Sequence, residues 1–444
     1  MSQEKHKIVI VGGGAGGLEL AARLGREFGP EHIVLVDKDD SHIWKPSLHE
    51  VAAGTLDIHR EDLSYFMLAR DCGFTFMRGE LHSLDRAARQ LGLKAVLTPS
   101  GEEVFPARTL RYDTLVMAVG SKSNFFGTPG AAEHAIALDS TGQAEHFRQR
   151  LLNELVTLNR RKTGAVAEQP EAESGQALLN IAIVGGGATG VELAAELLEA
   201  FAGLVYYGLQ ELDPARDIKI TLLEGADRIL SALPPKLSET AQRLLTDRGV
   251  DVRTSVRVAA VEHNCLVDAQ GNRYPATLCV WAAGIEAPAF LSQLGLEANR
   301  LHQLVVDGRL RTEDADIFAF GDCAQAPWEG EQRPLPARAQ VAHQQASFLR
   351  KTMRARIKGE AEPQDNFRFR DYGSLVSVGH TRGVGSLMGV LSGKSWFVEG
   401  LLARLMYMSL HLMHHAAVLG PMQTASMALG RLLLKRGAPR VKLH

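Results

Sequence analysis

The sequence predicts an α/β protein built from two parallel-sheet units of one kind, followed by a helical C-terminal region. Three observations carry that prediction. A strand, glycine turn and helix pattern opens the chain in KIVIVGGGAGGLELAARL, from Lys7. The same pattern returns in NIAIVGGGATGVELAAEL, from Asn180, and the final stretch is apolar with no acidic residue after Glu399. In both repeats a short apolar run is followed by glycines and then by apolar residues at helical spacing.

Size and charge set the outer bounds. At 444 residues the chain is too long for one core, so two or three domains are expected. Lys+Arg 49 against Asp+Glu 51 is close to balance, and this speaks against a general nucleic-acid binder. Cys72, Cys265, Cys279 and Cys323 have no C-x-x-C spacing and read as the reduced thiols of a cytosolic protein. A polar start runs directly into the first strand, so no signal peptide is expected.

In the first turn Gly12, Gly14 and Gly17 form G-x-G-x-x-G, and IVLVD ends a second strand on Asp37, followed by Lys38. Gly12 permits the tight turn, Gly14 lets backbone approach a pyrophosphate, and Gly17 brings helix against strand. The helix N-terminus supplies partial positive charge to the phosphates, and Asp37 accepts from a ribose. The unit therefore reads as a Rossmann-like dinucleotide-binding fold.

The next segment, DDSHIWKPSLHEVAAG, is a loop that would lie over the ring end of the bound cofactor, with Trp44 and His49 also readable as ordinary loop packing. From Phe74 to Val104 short apolar runs suggest an antiparallel meander. TLVMAVGS then reads as a buried strand ending on Ala118, Val119 and Gly120, small enough for backbone to lie close to a ligand. A charged amphipathic helix is expected over 143–160 and an exposed insert over 161–177.

The second unit repeats the order. Gly185, Gly187 and Gly190 form its turn, KITLLE ends on Glu224, a second meander spans Val250 to Tyr274, and LCVWAAGI brings Ala282, Ala283 and Gly284 to a strand end. Gly185 follows Gly12 at nearly the interval by which Gly284 follows Gly120, as duplication of a whole unit requires. Glu224 lies farther from its glycines than Asp37 does, yet an acid there with no arginine after it favours NAD over NADP by repelling a 2′-phosphate. The chain then returns to the first unit through DIFAFGDCAQ, with Gly321 and Asp322, and a helix in PLPARAQVAHQQASFLR whose first turn would point at the first cofactor.

At the C-terminus, residues 365–393 read as a short strand group. SWFVEGLLARLMYMSLHLMHHAAVLG reads as a helix with Leu401, Leu405, Met408 and Leu412 on one side and Arg404, His411 and His415 towards another. A second helix is expected from Met422 to Lys435. Apolar side chains beside Trp396 and a tail holding Arg431, Lys435, Arg436, Arg440 and Lys442 suit helices lying in a membrane interface. A spanning helix is disfavoured by three histidines, Pro421 and several polar residues, while a dimerisation helix is the other reading. His411 and His415 have metal spacing but lack a third ligand, so no metal is expected.

Two dinucleotide folds in series, a strand ending in AVG and a late FGD motif resemble the two-dinucleotide-binding flavoproteins. Within them the chain, over roughly residues 7 to 435, resembles the type II NADH dehydrogenases, single-subunit NADH:quinone oxidoreductases. Their A-Q-x-A-x-Q quinone motif stands here as Ala339-Gln340-Val341-Ala342-His343-Gln344, and their T-G-V-E glutamate as Glu192. His343 followed by another glutamine, Gln345, leaves open which amides face a quinone.

The resemblance implies FAD in the first unit (1–125 and 295–364), NADH in the second (126–294) and membrane association by 365–444. Asp322 would then bond the FAD ribityl-phosphate region, Ala339 would open the helix at the cofactor, and Gln340 and Gln344, four apart on one helix face, would meet the quinone. Glu192 reads either as a dipole-favoured residue in the first turn of its helix or as a proton-handling or nicotinamide-placing group. No redox cysteine pair is needed, and Cys323 reads as a buried core thiol. The expected enzyme is a peripheral membrane protein on the cytoplasmic face of the inner membrane, without proton pumping and with a homodimer left open. The competing readings are a soluble NADH-dependent ferredoxin or rubredoxin reductase and a non-enzymatic FAD/NADH redox sensor.

Overall fold

In the computed structural model, strand β1 (Ile8–Val11) is buried on both faces, and its four apolar side chains suit the centre of a parallel sheet. The structure describes residues 6–163, 178–204, 208–378, 383–388, 395–399, 409 and 412–434. Helix α1 (Ala15–Phe28) carries the chain over to β2 (Ile33–Asp37), which pairs in parallel with β1 from Ile8↔Ile33 to Val11↔Val36. The short helices that follow include α2 (Leu48–Ala53) and α3 (Tyr65–Cys72). Strand β3 (Thr75–Arg78) adds to β2, and β4 (Leu81–Asp85), β5 (Gln90–Leu93) and β6 (Arg108–Arg111) form a separate antiparallel sheet. Strand β7 (Thr114–Met117) returns beside β1.

The second unit starts with β8 (Ile136–Ala137) and helix α4 (Thr141–Lys162), slightly longer than expected because a Ser140/Gln143 capping box fixes its start. Of the predicted insert, 164–177 lies outside the described residues. Next come β9 (Leu179–Val184), α5 (Ala188–Leu204), β10 (Ile218–Leu223) and β11 (Asp251–Arg253). Strands β12 (Val258–Glu262), β13 (Cys265–Asp268) and β14 (Arg273–Pro275) make the second antiparallel sheet, and β15 (Leu278–Trp281) returns beside β9.

Strand β16 (Ile317–Ala319) completes the first parallel sheet, whose order is β16-β7-β1-β2-β3; the second is β8-β15-β9-β10-β11. The long helix α6 (Ala339–Lys358) lies against α1. Thr75–Arg78 and Asp251–Arg253, placed in the meanders from sequence, are parallel edge strands of the main sheets instead. Edge strands are half solvated, so their side-chain pattern matches that of a meander strand.

A third antiparallel sheet holds β17 (Gly373–Ser377), β18 (Gly383–Met388) and β19 (Ser395–Glu399). This corrects the helix expected to start at SWFVE, since Ser395–Glu399 pairs with β18 from Met388↔Ser395 to Val384↔Glu399. Aromatic and β-branched residues favour the strand, although the same apolar spacing fits a helix. Helix α7 covers 412–419 and α8 spans Pro421–Leu434. Between them Gly420, at φ +88°, ends one helix and Pro421 opens the next. Leu401, Arg404, Leu405, Met408, His411 and the basic residues from Lys435 lie outside the described residues. His415, expected on a polar face, is buried.

The two units share side chains. Leu48, Val51 and Ala52 of α2 belong to the same core as Phe147 and Leu151 of α4 and Val191 of α5. Phe147 is fully buried there. Replacing it in Phe147→Ala is expected to cost about 3–5 kcal/mol, read as an earlier urea transition by circular dichroism. An unchanged midpoint would contradict this packing.

Candidate active site

The two glycine turns are built alike. Gly12 (φ +106°) and Gly185 (φ +110°) take a backbone conformation that L side chains rarely adopt. A Cβ on Gly12 would lie 2.3 Å from the Ala118 carbonyl oxygen, and one on Gly185 would lie 2.7 Å from the Ala282 carbonyl carbon. A Cβ on Gly17 would meet the Gly12 oxygen at 1.9 Å, and one on Gly190 the Gly185 oxygen at 2.0 Å. The middle glycines differ: beside Gly14 and Gly187 no atom of the protein would lie within 4 Å of a Cβ. The first and third glycines thus serve the fold, while the middle one borders open space that a phosphate can enter.

The strand-end acids are equivalent too, despite their different spacing. Asp37 accepts from the Gly13 N–H at 2.6 Å and the Asp39 N–H at 2.9 Å. Glu224 accepts from the Gly186 N–H at 2.6 Å and the Ala226 N–H at 2.7 Å. Burial pushes the Asp37 carboxyl up, and its backbone hydrogen bonds oppose that. Lys38 is exposed, and its carbonyl accepts from Arg78.

Helix α4 is capped by side chains, whereas α1 and α6 have no side-chain cap and no acid in the first turn, and α5 has no first-turn acid. Uncapped starts leave N–H groups and positive dipole ends for an anion. Ala339 opens α6, one residue after its N-cap, Arg338.

Around the first turn, Gly120 (φ +71°) and Gly321 (φ +71°) stand at strand ends, next to Asp322. Asp322 accepts from the Ser121 hydroxyl at 2.8 Å, and the Ser121 carbonyl accepts from Lys45 at 2.8 Å. In the second unit the Ala283 carbonyl accepts from the Trp281 indole at 3.0 Å, and a Cβ on Gly284 would strike the Phe126 ring. No motif pointed to Ser121 or Lys45.

Helix α6 divides its polar residues among three neighbours. Gln345 is buried and accepts from the Gly321 N–H at 2.8 Å. His343 turns to α1, its Nδ1 2.6 Å from the buried Glu19 carboxylate. Gln340 donates to Asp371 at 3.2 Å and to the Gly373 carbonyl at 2.9 Å, while Gln344 exchanges two hydrogen bonds with the Arg370 backbone. Gln340 and Gln344 therefore share the side closed by residues 370–373, and Gln345 is occupied elsewhere.

Glu192 lies in the second turn of α5, with no acid in the first, which corrects its reading as a dipole-favoured first-turn residue. It is buried, accepts from the Ser377 N–H at 3.1 Å, and lies 3.6 Å from His49 Nδ1. Burial first, then Glu50 and Glu196, push its carboxyl up to about 8, against the Ser377 hydrogen bond. Burial lowers His49 to about 4. Near pH 7 this close pair is an acid beside a neutral imidazole, so the short distance is not an ion pair. Cys323 is buried with its thiol pushed up to about 11, and all four cysteines are unpaired.

Two outcomes follow from this geometry. Gly14→Ala should leave the cofactor-free melting temperature near wild type while weakening dinucleotide binding, whereas Gly17→Ala should lower the melting temperature itself, as thermal scans would record. Glu192 has a folded-state value raised from 4.5 to about 8, so its burial costs nothing below pH 4.5, and stability is lost progressively as pH rises from there through about 8, above which the loss levels off. Glu192→Gln should match wild type near pH 4.5 and exceed its stability above pH 8; parallel stability–pH curves would contradict this.

The pyridine nucleotide-disulphide oxidoreductase family model matches residues 6–346. The type II NADH:quinone oxidoreductase of Haemophilus influenzae is 39% identical over 447 aligned positions, 98% of this chain and 99% of that protein. The Staphylococcus aureus protein of that name is 29% identical, over 88% of this chain and 91% of its own length. The structure of NDH2 from Plasmodium falciparum in complex with NADH shares the fold at TM-score 0.78, with 18% identity and 100% of each chain covered. A glycine-turn α/β architecture and a full-length match at this identity lead to one assignment: the chain belongs to the pyridine nucleotide-disulphide oxidoreductase family and, within it, to the type II NADH:quinone oxidoreductases.

Proposed function

We propose that this protein carries two electrons from NADH through FAD to a membrane quinone, without proton pumping, while lying on the cytoplasmic face of the inner membrane. The full-length similarity to the Haemophilus influenzae enzyme carries the reading, and the paired cradles support it. Residues 1–125 and 295–364 form the FAD part, 126–294 the NADH part and 365–444 the membrane part.

FAD fits the first turn: Gly12, Gly14 and Gly17 open the cradle, Asp37 and Lys38 take the ribose end, and Ala118, Gly120, Asp322 and Ala339 border the rest. NADH fits the second through Gly185, Gly187, Gly190, Glu224, Ala283 and Gly284. When bound, the flavin supplies a hydride-accepting ring that no side chain offers. The chain supplies placement. Open starts of α1 and α6 would offset FAD phosphate charge, and the acid-free first turn of α5 would do so for NADH. Each strand-end carboxylate has capacity left for ribose hydroxyls after its two backbone hydrogen bonds, and Glu224 repels a 2′-phosphate.

Glu192, protonated near neutral pH, holds a proton at its carboxyl between the NADH-binding helix and β17. Gln340 and Gln344 are the quinone-side donors. Their present partners at 370–373 are hydrogen bonds that a quinone oxygen can replace at little net cost.

Exposed Met413 (54%), Met422 (83%) and Leu429 (58%) on α7 and α8 support docking on a bilayer. No helix among the described residues is long and apolar enough to cross a membrane. A soluble ferredoxin or rubredoxin reductase would leave this apolar surface and the glutamine pair without a use, and a redox sensor would not need an acceptor site.

Stopped-flow absorbance tests the reading in two halves. NADH should bleach the flavin band rapidly and NADPH slowly, and a soluble quinone should restore it. Gln340→Ala should slow the second half about tenfold or more, with the first nearly unchanged. If both halves fall together, the assignment of that face to quinone is wrong. Met422→Ser with Leu429→Ser should move the protein from pelleted membranes to the supernatant.

A further inference from the structure

One peptide of the first turn is held differently from its counterpart. In the second unit the Gly186 carbonyl accepts a backbone N–H, that of Leu230, at 2.7 Å. In the first, the Gly13 carbonyl accepts instead from two side chains, the Tyr65 hydroxyl at 2.7 Å and His42 Nδ1 at 3.0 Å. The other nitrogen of His42 lies 2.9 Å from His414 Nε2 on α7, more than three hundred residues later in the chain.

Proton positions follow from the partners. Burial holds His42 neutral, and a carbonyl can only accept, so Nδ1 carries the hydrogen. Nε2 of His42 is then an acceptor, and His414 must donate to it. The connection therefore runs in one direction, from α7 through His42 to the turn. Further contacts fix α7 at the same place. The His414 ring lies 4.4 Å from that of Trp44, and the Val418 carbonyl accepts from Arg26 of α1 and from Cys72 at 3.6 Å.

We propose that His42 and His414 form a latch through which the seating of α7 positions the FAD-binding turn, so that docking of the C-terminal region and retention of FAD are coupled. The proposal rests on the reading that the first turn holds FAD. His42 acts as a positioning residue: it fixes the Gly13–Gly14 peptide by its carbonyl, while Asp37 holds the preceding peptide by the Gly13 N–H, and it thereby sets the direction of the Gly14 N–H. Coupling of this kind is reciprocal, so FAD must also tighten α7.

The test uses full-length holoenzyme in detergent and follows free-flavin fluorescence after dilution. His414→Phe keeps a ring against Trp44 and removes the donor; it should release FAD about tenfold faster. His414→Gln restores a donor and should return release to within about threefold of wild type. Hydrogen exchange of 412–419 in the wild type should slow when FAD is added, a readout that needs no variant to fold. Equal release from wild type and His414→Phe overturns the latch, as does exchange in 412–419 that ignores FAD. A wild type that neither carries nor takes up FAD overturns the assignment of the turn, and the latch with it.

Discussion

The close approach of backbone inside each glycine turn is the constraint on which the rest depends. With the Gly12 oxygen 1.9 Å from where a Gly17 Cβ would stand, α1 cannot draw up to β1 unless that position is glycine. That contact sets where the helix begins, and the helix start sets where positive dipole charge meets the open space beside Gly14. The second unit repeats the contact at Gly185 and Gly190. Both cradles are therefore formed by main-chain sterics before any ligand arrives.

This is why the turns were legible in the sequence. Their cause is local, and glycines at fixed spacing between an apolar strand and an apolar helix have few other uses. Asp37 and Glu224 were legible because a strand-end acid is also a local signal, and the longer run before Glu224 changes nothing in its hydrogen bonds. The parallel edge strands at Thr75 and Asp251 were not, since half-solvated strands of either kind carry the same side-chain pattern. Ser395–Glu399 was misread as helix because its apolar residues satisfy both periods. His42, Tyr65 and Ser121 left no signal, as their partners lie far along the chain and only folding brings them together.

The units differ where chemistry asks them to. Helix α2 of the first unit is built into the core of the second, which fixes the distance between cradles through buried apolar contact instead of a linker. From that helix His49 lies 3.6 Å from Glu192, and the pair is without charge near neutral pH. A buried pair kept neutral avoids the large desolvation cost of two ions, and leaves a proton in reserve on the carboxyl. Helix α6 resolves the extra histidine and glutamine of its motif by turning His343 to Glu19 and Gln345 to Gly321.

The outermost strand of each parallel sheet comes from beyond the duplicated stretch, and the two come from opposite directions. Strand β8 precedes the glycine-turn strand β9 of the second unit, while β16 follows that unit's last strand, β15. As the ribosome delivers the chain from its N-terminus, the middle of the protein can close its sheet once β15 has emerged. The first-born strands must wait with β7 uncovered on one edge until Ala319 is made. Domains usually mature in the order of synthesis. Here the topology sets the other order of completion: the last strand of the N-terminal sheet is made after every strand of the second sheet.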